Sequence, residues 1–224
     1  MATATTKDVW RAALIFTATS ALIGLSFGVL ARTSGISLVM TCAMSLVVFA
    51  GGAQFLTIAT IASGGTPLAA VLGGVVLNAR HLPYGLAVAP FLRGPLWKRA
   101  LSSQVVLDES TALALAQPTP ELGRLAFYAC GSLLFVAWNL GTLVGALAGG
   151  AIADPSALGL DAAFPASMLA LLAPLLRHRD VRAAALAGAA IALAVTPFTA
   201  PGVPILAAAA GVLAARLVPV GEPE

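Results

Sequence analysis

The sequence predicts an all-α, polytopic membrane protein of about seven or eight helices or half-helices, with discontinuous elements near the midplane. Hydrophobic residues fill 59% of its 224 positions and charged residues 9%, at a mean hydropathy of +0.97. That leaves too few polar side chains to cover a water-exposed surface. Several apolar runs reach the roughly 20 residues a helix needs to cross about 30 Å of hydrocarbon. Their alanine, leucine and glycine content lacks the period-two alternation of a barrel strand, so helices must satisfy the backbone. The whole of 1–224 reads as one transmembrane domain.

The first run, 12–31, follows Lys7 and Arg11 in the manner of a signal peptide. It is long, lacks a convincing cleavage pattern and leads directly into more apolar sequence, so it reads as a retained first span. Segment 37–63 is interrupted by VFAGGAQF at 48–55. Gly51 and Gly52 raise the cost of helix there, and Gln54 brings an amide that lipid cannot satisfy. Broken backbone at that depth must be buried in protein or face a wet cavity. Its freed N–H and C=O groups suit the zwitterionic head of a small solute; a close helix contact through small residues is the alternative.

Segment 66–92 contains LNARHLPYG at 77–85 and one charged residue before its end, Arg80. Arg80 stands about 21 Å along a helix begun at Thr66, close to mid-membrane. An arginine at a helix centre costs about 2.5–3.5 kcal/mol on insertion scales, so it should meet protein, water or an anionic partner. Pro83 is expected to free the Ala79 carbonyl and kink the helix beside Asn78, Arg80 and His81. A short loop at 78–83 is the alternative.

Segment 100–116 is short and holds Gln104, Asp108 and Glu109. Carboxylates inside a bundle are candidates for ion coupling, because burial disfavours their charged form, and one of these two can instead neutralise Arg80. An exposed loop is the competing reading. Segment 125–152 carries Trp138 and Asn139 at mid-span, where an asparagine seeks either a helix partner or a substrate. Asp161 reads as the cap of a short segment, 162–176. Segments 183–200 and 203–218 complete the set.

Basic residues mark the cytoplasmic side of a membrane boundary. They cluster at Lys7 and Arg11, at Arg93, Lys98 and Arg99, and at Arg177, Arg179 and Arg182. All three clusters share a side, with the N-terminus cytoplasmic, if 37–63 dips in and returns and 100–116 also fails to cross. Cys42 and Cys130 read as small buried hydrophobes, with no disulfide framework or metal spacing. His81 and His178 lack partners for a metal site, and no nucleophile motif or phosphate-cradling loop is present, so neither an enzyme, a cofactor nor a nucleic-acid partner is expected. A weak echo links GLSFGVLA (24–31) with GTLVGALA (141–148), each followed by an F-x-small-small string, at 49–52 and 164–167. An internal repeat of this kind is common among secondary transporters.

Six strings in order carry a resemblance: FGVLARTSGIS (27–37), SLVVFAGGAQF (45–55), Asn78-Ala79-Arg80, Asp108-Glu109, Trp138-Asn139 with Gly141-Thr142, and Gly159-Leu160-Asp161 with Phe164-Pro165. With them the chain resembles the large subunit of AzlC-type branched-chain amino acid exporters over most of its length. The resemblance implies export of leucine, isoleucine, valine and related apolar amino acids across a bacterial inner membrane, with a small, very hydrophobic AzlD-type partner subunit.

The residues themselves suggest the site. Breaks at Gly51–Gln54 and Asn78–Pro83 line a midplane cavity. Arg80 meets the substrate carboxylate or a protein counter-charge, Gln54 and open carbonyls hold the ammonium, and Phe49 and Phe55 wall the side chain. His81, Trp138 and Asn139 complete the substrate-binding set, and Asp108 or Glu109 couples a proton. A passive channel or a non-transporting assembly subunit would share these features.

Overall fold

The computed structural model describes residues 5–149, 172–199 and 203–216, with isolated positions between 152 and 169. Two long helices organise it: α1 (Thr6–Thr33) and α8 (Pro120–Ala148), of 28 and 29 residues, each apolar enough to cross a membrane. They run parallel and touch backbone to backbone. A Cβ on Gly24 would strike the carbonyl of Trp138, and one on Gly28 the carbonyl of Thr142. Reciprocally, a Cβ on Gly141 would strike the carbonyl of Ala21, and one on Gly145 that of Leu25. Each glycine thus faces the residue three positions before its counterpart, a local two-fold relation along the helix axes. The two strings of the sequence echo are therefore one self-complementary small-residue crossing.

Between these helices, three of the expected apolar segments each fold as two. Segment 37–63 gives α2 (Leu38–Val47) and α3 (Gly51–Ala62); segment 66–92 gives α4 (Pro67–Asn78) and α5 (His81–Val88). Segment 100–116 runs from the second half of α6 (Leu96–Ser103) through α7 (Asp108–Leu115).

Contacts along α8 show where each piece runs. Ser45 meets Asn139 and Thr142, while Phe49 meets Phe135 at 4.9 Å between ring centroids, so α2 descends antiparallel to α8 and stops near its middle. Gly51 then lies against the Trp138 ring, and Phe55 reaches Phe27, level with the glycine crossing, so α3 turns back. Helix α4 runs antiparallel to α3, with Gly73 against Leu56 and Gly74 against Ala53, and returns to the level of the break. From there α5 continues towards the start of α8, where Phe91 packs on Phe127. Helix α6 climbs from that end until Ser102 meets Tyr128 and Val105 meets Gly131; α7 descends again until Ala114 meets Gly123. The result is two returning hairpins entering from opposite ends, α2–α3 and α6–α7, beside one broken crossing, α4–α5. Gln104 joins the hairpins, its Nε2 donating to the Leu46 and Val47 carbonyls at 3.0 and 3.2 Å.

Two expectations about the breaks need correction. Gly51 and Gly52 do not interrupt the helix; they open α3, and the interruption is Val48–Ala50, where Phe49 takes φ 35° and Ala50 is extended. The glycines serve close approach, since a Cβ on Gly51 would sit 2.8 Å from Trp138 Cη2. Pro83 does not kink a continuous helix either. It occupies the first turn of α5, where no donor is missed, and the Ala79 carbonyl accepts from the Leu82 N–H at 3.1 Å. The break comes at Ala79–Arg80.

Helix α9 (Arg179–Val195), extended by a turn to Phe198, is a third run long and apolar enough to span. Gly188 packs it on the Val203–Ala208 segment and Gly211. Outer surfaces are apolar, with Val39, Leu82 and Leu86 each more than 70% exposed, as a lipid solvent requires. The capping reading of Asp161 lies outside the described residues, as do Phe164 and Ser167 of the echo's second short string.

Candidate functional site

The helices differ in how they start. Helices α2, α4 and α8 open on Ser37, Thr66 and Thr119, whose hydroxyls accept from Met40, Ala69 and Leu122 N–H groups. No side chain of the preceding residue caps α3, α5 or α7. These three begin at the breaks, and the residues that start them, Gly51, His81 and Asp108, line one cavity of about 330 Å³. Small-ligand pockets span roughly 300–1,000 Å³, so this one suits a small solute.

Asp108 is fully engaged. Its Oδ2 lies 3.1 Å from Arg80 Nη2, and its Oδ1 accepts from the Tyr84 hydroxyl at 2.8 Å. The pair is partly open to the cavity, with side-chain exposures of 25% and 19%. Glu109 reaches the same cavity from the same turn of α7 and makes no ion pair among the described residues. His81 lies at the rim, its Nδ1 3.1 Å from the Asn78 carbonyl and its ring edge-on to Tyr84.

Apolar walls come from the α1–α8 pair and the first break. Phe16 and Ile23 face Leu134 and Trp138, with Phe49 alongside. Thr19 and Ser20 add two hydroxyls to the α1 wall. Trp138 is 7% exposed, and its Nε1 has no hydrogen-bond partner among the described residues.

Of the residues expected to bind substrate, Phe49, Gly51, Gly52, Arg80, His81 and Trp138 therefore share the cavity, together with Asp108 and Glu109. Gln54 does not. It is fully buried behind α3, where its Nε2 donates to the Met44 carbonyl at 2.8 Å and closes the end of α2. The expectation that it holds an ammonium is corrected accordingly. Phe55 packs edge-on behind Trp138, at 6.3 Å between centroids. Asn139 accepts from the Ser45 hydroxyl at 2.7 Å and donates to the Phe135 carbonyl, an interhelical role. Asn78 lines a neighbouring cleft with Val48, Phe49 and His81.

Sequence reasoning missed the α1 wall and Tyr84. Ile15, Phe16, Thr19, Ser20 and Ile23 recur at helical spacing, and the Thr19-Ser20 pair in an apolar run was the available signal. Tyr84 is four positions after Arg80 and thus on its face.

A family model described as the AzlC protein matches residues 16–152, which contain every residue lining the cavity except Ile15. An uncharacterised membrane protein of Archaeoglobus fulgidus is 36% identical over 84% of this chain and 83% of its own length. The inner membrane protein YgaZ of Escherichia coli is 29% identical over 66% of this chain and 65% of its own. The branched-chain amino acid transport protein AzlC of Bacillus subtilis is 25% identical over 57% of this chain and 51% of its own. No solved structure matches.

Proposed function

The chain belongs to the AzlC family of membrane proteins, and from that premise we propose that it is a secondary transporter exporting branched-chain and related apolar amino acids. In this reading it works in a bacterial inner membrane, N-terminus and basic clusters on the cytoplasmic side, with a small AzlD-type subunit. The observation that carries the reading is the cavity: a helix start without a side-chain cap, a carboxylate with no ion pair among the described residues, and apolar walls meet in about 330 Å³ at mid-height of α8. A zwitterion with an aliphatic side chain is the complement of those three parts.

The substrate carboxylate sits at the N–H groups of Gly51 and Gly52, where a helix start favours negative charge. Its side chain lies against Phe16, Ile23, Leu134 and Trp138. Arg80 acts chiefly as the counter-charge of Asp108, keeping that carboxylate and the start of α7 in place. Access alternates as the broken elements move against the rigid α1–α8 pair. A proton supplies the coupling through the acidic pair, and no enzymatic step is assigned.

Leucine efflux from cells co-expressing the partner tests this. Gly51→Leu, which fills the head-group end of the cavity, and Arg80→Ala, which releases Asp108, should each abolish efflux while wild type exports. Unchanged efflux in both at normal protein levels contradicts the site.

A further inference from the structure

We propose that Glu109 is a single exchange site, held in turn by the ammonium group of the substrate and by a proton, each displacing the other. The proposal rests on the transport reading above and assigns its coupling to one of two adjacent carboxylates.

The two carboxylates are not equivalent. Both oxygens of Asp108 are occupied, one by Arg80 and one by Tyr84. Glu109 follows it in the same first turn, lines the same cavity and has no ionic partner among the described residues. Among the described residues its surroundings offer little else that is charged. Helix α7 itself gives Asp108, already matched by Arg80 at the start of α5. That end also presents His81 and Tyr84, and α8 presents the Cys130 thiol. Helix α1 faces the cavity with Thr19 and Ser20, and α3 with Gly51 and Gly52, none of them titratable.

Among the described residues Arg80 is matched by Asp108, so an ionised Glu109 adds a negative charge beyond that pair. Apolar walls make that charge costly without a cation beside it. A proton on the carboxyl removes the cost when the cavity is empty. When a zwitterion enters, its ammonium removes it instead: the Glu109 O–H bond breaks, the proton leaves to water on the open side, and the carboxylate pairs with an ammonium that keeps its own protons. The substrate carboxylate meanwhile rests at the start of α3, so each end of the ligand has its own partner. Binding of one cation expels the other. Substrate and proton must then cross in opposite directions, one for one.

The test uses the purified chain with its partner subunit in weakly buffered detergent solution containing a pH indicator, with leucine as the probe. Wild type should release up to one proton per leucine bound, and its Kd for leucine should rise about tenfold per pH unit below the Glu109 titration. Glu109→Gln should release no proton, show a Kd flat with pH, and bind about 10- to 100-fold more weakly. Glu109→Asp should restore proton release. If Glu109→Gln does not accumulate, dicyclohexylcarbodiimide, which modifies protonated carboxyls, should label wild-type Glu109 at acid pH, and leucine should protect it. Proton release by Glu109→Gln equal to that of wild type, or labelling of Glu109 indifferent to leucine, overturns the assignment. Wild type that binds leucine without releasing protons overturns this inference alone; wild type that binds no leucine overturns the transport reading and this inference with it.

Discussion

Arg80 and Asp108 come from different broken segments, and each gives the other a reason to be inside the bundle. Their exposures of 25% and 19% keep the pair in contact with cavity water, so its strength is that of a screened ion pair. A double-mutant cycle of Arg80→Gln and Asp108→Asn, read by thermal unfolding of the purified protein, should give a coupling of about 1 kcal/mol. A coupling near zero would mean the pair is not formed in the folded protein. Gly51 acts through shape. A Cβ there would lie 2.8 Å from the Trp138 ring, so Gly51→Ala must displace either the indole or the start of α3. Binding of leucine should weaken more than binding of alanine, by about threefold to tenfold if a methyl group of side-chain space is lost. Equal losses for both ligands would place Trp138 away from the side-chain wall.

Single elements show how far the sequence could be read. The spans at α1, α8 and α9 were legible because length and hydropathy fix them, and the interrupted segments because glycine, proline and charge do not belong in a plain span. Break positions were less legible. At Phe49 no residue announces the φ of 35°; the turn is held by Phe135 packing and by Gln54 and Gln104 closing the end of α2, all tertiary contacts. Gln54 was singled out as a polar residue in need of a partner, and its partner proved to be backbone. The echo of 24–31 and 141–148 carried more than its low-complexity letters suggested, because both strings meet at one crossing. Gly28→Leu or Gly145→Leu should therefore abolish a stable fold, seen as loss of a monodisperse elution peak. Gly85→Leu, with nothing within 4 Å of its Cβ position, should leave that peak unchanged. Tolerance of leucine at both Gly28 and Gly145 would contradict the backbone contact.

Across the whole molecule, the run of contacts along α8 places the ends of α1, α3 and α8 at one end and the 93–95 and 117–119 turns at the other. With Cys42 and Cys130 replaced, cysteines at Ser34 and Ser63 should react with an impermeant maleimide from the periplasmic side. Cysteines at Arg93 and Thr119 should react only after the cytoplasmic side is opened. Labelling of Ser34 and Ser63 from opposite sides would mean that α2–α3 crosses instead of returning. Two hairpins that meet at mid-height and a broken crossing between them put the cavity within reach of either face, against one closely packed parallel pair. The most direct test of the proposed transport is counterflow in proteoliposomes holding the chain and the proposed small subunit. With unlabelled leucine inside, labelled leucine outside should accumulate transiently above equilibrium, and Gly51→Leu should abolish the overshoot. No overshoot in wild type, or one that Gly51→Leu leaves intact, would contradict the account.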